Sequence, residues 1–300
     1  MLRNLHPLCG IVLGILLAPA MGMSGEIQLK ETWSIDGDQL DHPESIYLHR
    51  DSGFLFLSQI GGGGGMAKDG DGWITKLTTD GKIVSHKWVT GLNAPKGIRS
   101  HGNTLYVSDI DRVVAIDIEA GEIVKEYLIP EAKFLNDLCT SDDGTIYVSD
   151  MVASRIYQIK DNKASVFLEG PELEHPNGVL VEGDHLMIGG WGSGFNTEDF
   201  STEILGRLKR IDRNSKEITV ITTDPTGHLD GIESDGHGGY FVTDWRIGKL
   251  FHVKADGAVT LVKEYPQGVA DLAVIAEQNV IIIPEMLEGK LTAYQFHIAQ

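Results

Sequence analysis

Six positions along the chain place a polar side chain at the start of a short apolar run, and most of these side chains carry an oxygen. The six residues are Glu44, Lys96, Asn136, Asn177, Asp230 and Asp271. Carboxylate and amide oxygens are the ligands that Ca²⁺ prefers, whereas tetrahedral Zn²⁺ sites usually contain His or Cys. If the fold gathers these positions, the first, third, fourth and fifth could hold a divalent cation and leave room for water or substrate. The alternative is a polar ring that contacts only water.

The elements that must gather these positions form an internal repeat. Six similar strand-like runs follow them, each after a turn that contains Gly, Asp or Asn. The runs are FLFLSQI (54–60), TLYVSDI (104–110), TIYVSDM (145–151), HLMIGGW (185–191), GYFVTDW (239–245) and VIIIPEM (280–286). Two further strand-like runs follow most of them, so each repeat predicts four antiparallel strands over roughly 40–53 residues, as in a β-propeller blade. The sequence therefore predicts an all-β, six-bladed β-propeller.

The sixth repeat lacks one strand, because only KLTAYQF follows its second strand. The run EIQLKETWSI (26–35) can supply the missing outer strand and close the ring, which leaves no long exposed sheet edge. Residues 26–300 are therefore expected to form a single domain, since no stretch has the composition of a linker. The inner strands of a propeller line its central channel, so the six polar positions are expected to form a ring at one channel mouth.

The first residues have the pattern of a secretory signal peptide. Arg3 precedes an apolar stretch from about Leu8 to Ala18, and small residues follow it. We expect cleavage near residues 20–25, removal of residues 1–22, and an exported protein, periplasmic or secreted, without a membrane anchor. Loss of Cys9 would leave Cys139 as the single cysteine, so the mature chain has no internal disulfide.

The charge balance bears on the partners of the protein. The formal net charge is -18, and the acidic residues are spread along the chain. Such a surface repels nucleic acid and anionic lipid, so neither is an expected partner. A small-molecule substrate is the expected partner, and the sequence leaves the oligomeric state open.

The ring motifs resemble those of the senescence-marker-protein/gluconolactonase/luciferin-regenerating-enzyme family of six-bladed propellers. The matching segments are Pro43-Glu44-Ser45, Asn136-Asp137, Pro176-Asn177-Gly178 and Leu229-Asp230-Gly231, in the same order as in the family. The resemblance implies one divalent cation in the channel, with Ca²⁺ expected first and Mg²⁺, Mn²⁺ or Zn²⁺ as alternatives. The residues that it implies as ligands are Glu44, Asn136, Asn177 and Asp230. It also implies hydrolysis of a lactone or related ester, in which the metal polarises the carbonyl and acidifies water while Asp230 acts as general base.

A second column of residues bears on the substrate. It stands at the ends of the second strands and reads Ile60, Ile110, Met151, Trp191, Trp245 and Met286. These residues predict an apolar collar above the ring, with Trp191 and Trp245 as substrate contacts and a hydrophobic or aromatic substrate favoured over a sugar. The family's sugar-lactone hydrolases carry Arg where this chain has Phe134. The alternative for the collar is packing between neighbouring blades.

Lys96 and Asp271 complete the ring and are predicted to bind substrate, with Lys96 steering an anionic carboxylate. Three histidines, His42, His175 and His228, stand two positions before ring residues. Residues two apart in an extended strand point to the same side, so these imidazoles could lie above the ring. One hypothesis gives them substrate contacts and gives His228 a catalytic proton transfer, and the other makes them caps of the loops between blades.

Two long loops, 61–72 and 191–206, are predicted to open on the ring face as a pair of mobile lids. The first contains five consecutive glycines, from Gly61 to Gly65. The same face would also suit a non-catalytic propeller that binds a small ligand or a protein, with the metal in a structural role. This binding protein is the alternative to the metal-dependent hydrolase.

Overall fold

Six four-stranded antiparallel sheets stand around a central channel in the computed structural model, which describes residues 27–299. The inner strand of each sheet contacts the inner strands of its two neighbours, and the last contacts the first. This arrangement confirms the predicted six-bladed β-propeller. The expected signal peptide at 1–22 and its cleavage region lie outside the described residues.

The first three blades follow the predicted order, in which consecutive strands pair from the channel outwards. Blade one contains β2 (Pro43–His49), β3 (Phe54–Gln59), β4 (Gly72–Thr78) and β5 (Ile83–Leu92). Blade two contains β6 (Pro95–His101), β7 (Thr104–Asp109), β8 (Arg112–Asp117) and β9 (Glu122–Leu128). Blade three contains β10 (Leu135–Thr140), β11 (Ile146–Asp150), β12 (Arg155–Lys160) and β13 (Lys163–Glu169).

The last three blades carry the additions to this plan. Blade four contains β14 (Pro176–Glu182), β15 (His185–Gly190), β18 (Leu208–Asp212) and β19 (Ile218–Val220), and its long loop holds a small ladder of β16 (Gly192–Ser193) and β17 (Ile204–Leu205). Blade five contains β20 (Leu229–Ser234), β21 (Tyr240–Asp244), β22 (Lys249–Val253) and β23 (Val259–Glu264). Blade six contains β24 (Ala273–Ile275), β25 (Val280–Glu285), β26 (Lys290–Ile298) and β1 (Ile27–Ile35).

The N-terminal strand closes the ring as predicted. β1 pairs antiparallel with β26, from Ile27 opposite Ile298 to Ile35 opposite Leu291. Three 3₁₀ helices lie in connections, at Pro171–Leu173, Ala276–Gln278 and Met286–Glu288. The described residues contain no helix that is long and apolar enough to span a membrane.

The hydrophobic core lies between neighbouring blades, because most of a sheet is covered on both faces. Phe56 and Ile74 of blade one pack with Ile98 of blade two. Phe241 meets Phe296 edge-on, with 5.0 Å between ring centres, and so joins blades five and six. Second strands such as β11 are therefore buried throughout, whereas an outer strand such as β9 is largely exposed.

A β-bulge in the inner strands positions the ring. In blade one, Pro43 pairs with Gln59 and the next paired residue is Ile46, so residues 44 and 45 are skipped. The same two-residue break occurs at 96–97, 136–137, 177–178 and 230–231. A bulge re-aims side chains out of the regular alternation of a strand. It therefore explains why one polar residue in each of these five blades can turn towards the channel mouth.

Glycines after some ring residues allow the inner strands to approach closely. A Cβ at Gly178 would lie 1.8 Å from the carbonyl oxygen of Asp230, and one at Gly231 would lie 2.7 Å from Cα of Asp271. Such distances are far below van der Waals contact, so only glycine fits at these two positions. The glycines of the Asn177-Gly178 and Asp230-Gly231 pairs thus serve the packing of the ring.

Candidate functional site

Five of the six predicted ring residues line one cavity at one end of the channel. The cavity has a volume of about 360 Å³. Its inner end is formed by Glu44, Lys96, Asn136, Asn177 and Asp230, each of which is almost completely buried. The structure therefore brings together all four oxygen-bearing side chains that the resemblance implies as metal ligands.

The four oxygen-bearing residues share an unusual property. Each has one buried side-chain oxygen that accepts no hydrogen bond from any residue within 27–299. These atoms are Glu44 Oε2, Asn136 Oδ1, Asn177 Oδ1 and Asp230 Oδ1. Buried polar atoms in folded proteins nearly always have a partner in the protein, in ordered water or in a ligand, so four such oxygens around one cavity form a donor set that could hold a cation.

The charges around the ring also favour a bound cation. Burial raises the pKa of Glu44 well above its ordinary value, and the carboxylates of Asp230 and Asp271 raise it further. Burial likewise raises the pKa of Asp230, reinforced by Asp271 and Asp244. Without a cation the site therefore favours protonated carboxyl groups, and a divalent cation would favour the ionised ones.

The donor set fits a hard divalent cation. Two carboxylates and two amide oxygens are the groups that Ca²⁺ takes, and four protein ligands leave positions free for water or substrate. Within residues 27–299 no three His, Cys, Asp or Glu side chains gather into a metal-binding cluster. The part of the chain that the structure describes thus offers the mixed carboxylate and amide ring and no His- or Cys-rich cluster.

Lys96 anchors a loop. Its Nζ donates hydrogen bonds to the carbonyl oxygens of Gly65 at 2.8 Å and Ala94 at 2.9 Å, and lies 4.5 Å from the centre of the Phe134 ring. Burial lowers the pKa of Lys96 to about 8. These contacts, which the sequence did not predict, tie the glycine-rich loop 61–72 to the ring. The steering of a substrate carboxylate stays a prediction.

The predicted ring position of Asp271 is wrong by one residue. Val269 bridges Glu285 and Ala273 pairs with Ile282, which puts Ala270 where blade five has Asp230. Asp271 falls on the second bulge position and is absent from the cavity lining. In this register Leu272 takes the place that Ile232 has in blade five, and the sequence-based prediction had put Ala273 there.

The Asp271 carboxylate forms hydrogen bonds within the channel, below the ring cavity. Oδ2 accepts hydrogen bonds from Ser45 Oγ at 2.5 Å and from Arg99 Nη1 at 3.2 Å. Arg99 Nη2 also pairs with Glu233 at 2.8 Å. The buried Arg99 therefore crosses the channel from blade two to blades five and six. A second cavity, of about 240 Å³ and lined by Arg99 and Glu233, lies at the opposite end.

None of the three predicted histidines lines the ring cavity. His42 and His175 have φ angles of 56° and 53°, so the alternation of an extended strand does not apply to them. Nδ1 of His42 contacts Asp41 at 2.6 Å, and Nδ1 of His175 donates to the carbonyl oxygen of Met151 at 2.8 Å. Their own carbonyl oxygens accept hydrogen bonds from Ile60 and Trp191. These contacts favour the capping hypothesis.

His228 is buried beside the cavity wall. Its Nε2 shares a hydrogen bond of 3.0 Å with Thr202 Oγ1, and its ring meets Trp191 edge-on. Burial lowers the pKa of His228 to about 4, with a further contribution from Arg246. The imidazole is therefore neutral at pH 7. Its predicted proton transfer would have to reach the cavity past the indole of Trp191.

The cavity walls are apolar. Five of the six predicted collar residues line them, namely Ile60, Met151, Trp191, Trp245 and Met286. Ile110 instead packs with Ile60 and Ala94, as the blade-packing alternative expected. The sequence missed three further wall residues, Phe134, Met66 and Phe200. Phe134 stands two positions before Asn136, and the other two are apolar residues within the long loops, which is the signal that could have found them.

Both long loops reach over the cavity. Gly65 and Met66 come from loop 61–72, and Asp199 and Phe200 come from loop 191–206. The second loop is tied down by Trp191, whose Nε1 donates to the carbonyl oxygen of Phe200 at 2.8 Å. The two loops thus lie on the face where they were predicted, and their mobility stays a prediction.

Comparison with solved structures shows which proteins have the same fold as this chain. A gluconolactonase from Xanthomonas campestris, XC5397, superposes with a TM-score of 0.65 at 14% identity, over 90% of this chain and 90% of that one. The chain shares the gluconolactonase fold. Virginiamycin B lyase from Staphylococcus aureus superposes with a TM-score of 0.61 at 16% identity, over 90% of this chain and 99% of that one.

A chain from a nidogen/laminin complex also superposes, with a TM-score of 0.57 at 14% identity, over 78% of this chain and 97% of that one. No protein-family model and no curated protein matches the sequence. At these identities the likeness establishes the fold alone, and it confirms the expected resemblance to gluconolactonases at that level. The same fold occurs in proteins whose names differ widely, so the function has to be argued from the site.

Proposed function

We propose that this protein is an exported hydrolase of lactones or related esters that uses one divalent cation in the cavity. Ca²⁺ is the cation to test first, and the residues that would hold it are Glu44, Asn136, Asn177 and Asp230. The observation that supports this proposal is the set of four buried oxygens, without a hydrogen-bond partner among residues 27–299, at the inner end of one cavity with apolar walls. A gluconolactonase among the proteins of the same fold makes lactones the first substrates to test.

When bound, a divalent cation supplies a Lewis acid that polarises an ester carbonyl and lowers the pKa of water. The chain supplies the rest. Glu44 and Asp230 provide two negative charges, and Asp230, once ionised, is a carboxylate within the cavity that can accept a proton. It is a better candidate for this role than His228, which does not line the cavity.

The cavity walls contribute by excluding water. Trp191 and Trp245 lie 6.2 Å apart between ring centres and belong to the lining, together with Phe134 and Phe200. Electrostatic interactions at the inner end become stronger when an apolar substrate displaces water from such walls. The ring and the collar thus have complementary tasks, in which one acts on the ester group and the other holds the remainder of the substrate.

The test begins with metal-free protein. Ca²⁺ binding is measured by calorimetry, and hydrolysis of a panel of lactones and aryl esters is measured with and without Ca²⁺. Asp230→Ala is expected to lose both Ca²⁺ binding and hydrolysis, whereas Asp235→Asn, a buried acid outside the cavity, is expected to keep both. Tight Ca²⁺ binding without turnover of any ester would favour the non-catalytic propeller with a structural metal. Absence of divalent-cation binding would refute the site.

A further inference from the structure

The walls of the ring cavity differ sharply from its inner end. The polar ring occupies the inner end, and the walls above it consist mainly of aromatic and sulfur-containing side chains. The ones that carry the argument are Phe134, Met151, Trp191, Phe200, Trp245 and Met286. They come from blades three to six and from loop 191–206, so they surround the space above the ring on several sides.

The polar groups of these walls are largely committed to the protein itself. Lys96 donates to the carbonyl oxygens of Gly65 and Ala94, and its ammonium group faces the Phe134 ring. The indole nitrogen of Trp191 donates to the Phe200 carbonyl oxygen. Asp199, Arg246 and Gln267 are the remaining polar residues of the lining. Arg246 already donates to the carbonyl oxygen of Asp199 at 2.7 Å.

A polyhydroxylated substrate would therefore find few partners. Each hydroxyl group that leaves water for a wall of Trp, Phe and Met loses hydrogen bonds that the wall cannot replace. An apolar ring gains from the same transfer, because the wall removes its surface from water and offers aromatic faces and edges. The aromatic pairs are already assembled, with Phe134 meeting Phe200 edge-on at 5.7 Å.

We infer that the substrate is a lactone or ester whose reacting group carries an apolar, ring-sized substituent, and that sugar lactones are excluded. This inference rests on the proposed function, because it assigns the substrate class of the same site. Water adds its hydroxyl to the acyl carbon and a proton to the leaving oxygen, so the ester C–O bond breaks without any further reactant. The ester group would face the polar ring, and the substituent would lie against Trp191, Trp245 and Phe200.

A matched set of lactones tests the inference on the Ca²⁺-loaded protein. Dihydrocoumarin carries an aromatic ring, δ-valerolactone carries no substituent, and glucono-1,5-lactone carries hydroxyl groups. Single apolar groups change kcat/KM by about 10- to 200-fold in apolar pockets. Dihydrocoumarin is a phenyl ester with a better leaving group than the two alkyl lactones, so each kcat/KM is divided by the rate constant of alkaline hydrolysis of the same lactone. On this scale dihydrocoumarin is expected to exceed glucono-1,5-lactone by about 100-fold or more. A larger kcat/KM for glucono-1,5-lactone would overturn the substrate class and leave the hydrolase intact.

Substitutions locate the preference in the walls. Trp245→Ala is expected to lower the ratio of kcat/KM for dihydrocoumarin over δ-valerolactone by about 10-fold, mainly through KM. The matched control is Trp33→Ala, a tryptophan of the outer strand β1, which should leave this ratio unchanged. Trp245→Phe and a thermal unfolding curve separate a lost contact from a folding defect. An unchanged ratio in folded Trp245→Ala would contradict the inference.

A binding measurement separates this inference from the proposed function. Dihydroquinolinone, the lactam counterpart of dihydrocoumarin, has the same shape and resists hydrolysis. If it binds with tryptophan fluorescence quenching while no ester is hydrolysed, the hydrolase proposal fails and the apolar ligand class stands. If neither the lactam binds nor dihydrocoumarin is hydrolysed, the inference fails with it.

Discussion

Asp230→Asn is expected to stabilise the metal-free protein and to abolish its stabilisation by Ca²⁺. The Asp230 carboxylate is buried, Oδ1 has no partner among residues 27–299, and the carboxylates of Asp271 and Asp244 lie close enough to raise its pKa. Asparagine keeps the shape, cannot ionise and adds an NH₂ group that can donate to a neighbouring oxygen. The substitution therefore removes the cost of burying a carboxyl group, whether it is ionised or protonated, and also removes a proposed ligand.

The magnitudes follow from the two effects. Leaving a buried polar group unpaired costs about 1–3 kcal/mol, so the free energy of unfolding of metal-free Asp230→Asn should rise by about this amount. In the wild type, Ca²⁺ at 100 times its Kd should add about 2.7 kcal/mol. For a chain of this length that corresponds to a rise in Tm of roughly 5–10 °C.

The assay is thermal unfolding with EDTA and with Ca²⁺, followed by circular dichroism. Asp235→Asn is the matched control, because Asp235 is buried in the same blade and pairs with His252 at 2.7 Å. This control should unfold at a lower temperature than the wild type and keep the full Ca²⁺ shift. The reasoning is refuted if Asp230→Asn is less stable than the wild type in EDTA, or if it retains the Ca²⁺ shift.

Three further predictions concern other contacts. Lys96→Met removes the donor to the Gly65 carbonyl oxygen. Loss of a buried hydrogen bond worth about 1.4 kcal/mol should let a protease cut loop 61–72 about 10-fold faster. An unchanged cleavage rate would contradict the anchoring of this loop by Lys96. Burial raises the pKa of Glu233 from 4.5 to about 7 despite the opposing charge of Arg99, so this group stabilises the fold below pH 4.5 and loses that contribution as pH rises to 7. Glu233→Gln should therefore remove a decline of roughly 3 kcal/mol over that range in denaturant titrations, and an identical pH profile would exclude the shift. A chain that starts at residue 36 lacks β1, and it should elute as aggregate because the β26 edge is left unpaired.

The blades and the ring could be predicted because both depend on local patterns. In five of the six blades the second residue of the inner strand is polar and an apolar residue follows two positions later, and the second strand of the blade repeats a recognisable run. Glu44 and Asp230 are 186 residues apart in the chain, but the repeat places them at equivalent points of the ring. The closing strand was predictable for the same reason, since one blade was visibly short of a strand.

The wrong predictions of residue positions have physical causes that cannot be read from the sequence. In blade six the polar residue and the apolar residue after it fit two registers that differ by one position, and the strand pairing adopts the one that puts Ala270 in the ring. His42 adopts a left-handed φ, which side chains other than glycine seldom take, so strand alternation misplaced its imidazole. Arg99 bonds to Asp271 across 172 positions of the chain, and no local pattern indicates such a contact.

The buried ion pairs of Arg99 affect how a small molecule can enter and leave the central channel. They lie between the ring cavity and the cavity at the other end of the channel, and these two cavities are separate within residues 27–299. A molecule that reaches the ring must leave by the mouth through which it arrived, past Phe200 and Trp245. If the proposed hydrolysis takes place at the ring, product departure and substrate arrival compete for one opening, and the hydroxy acid delays the next turnover until it has left.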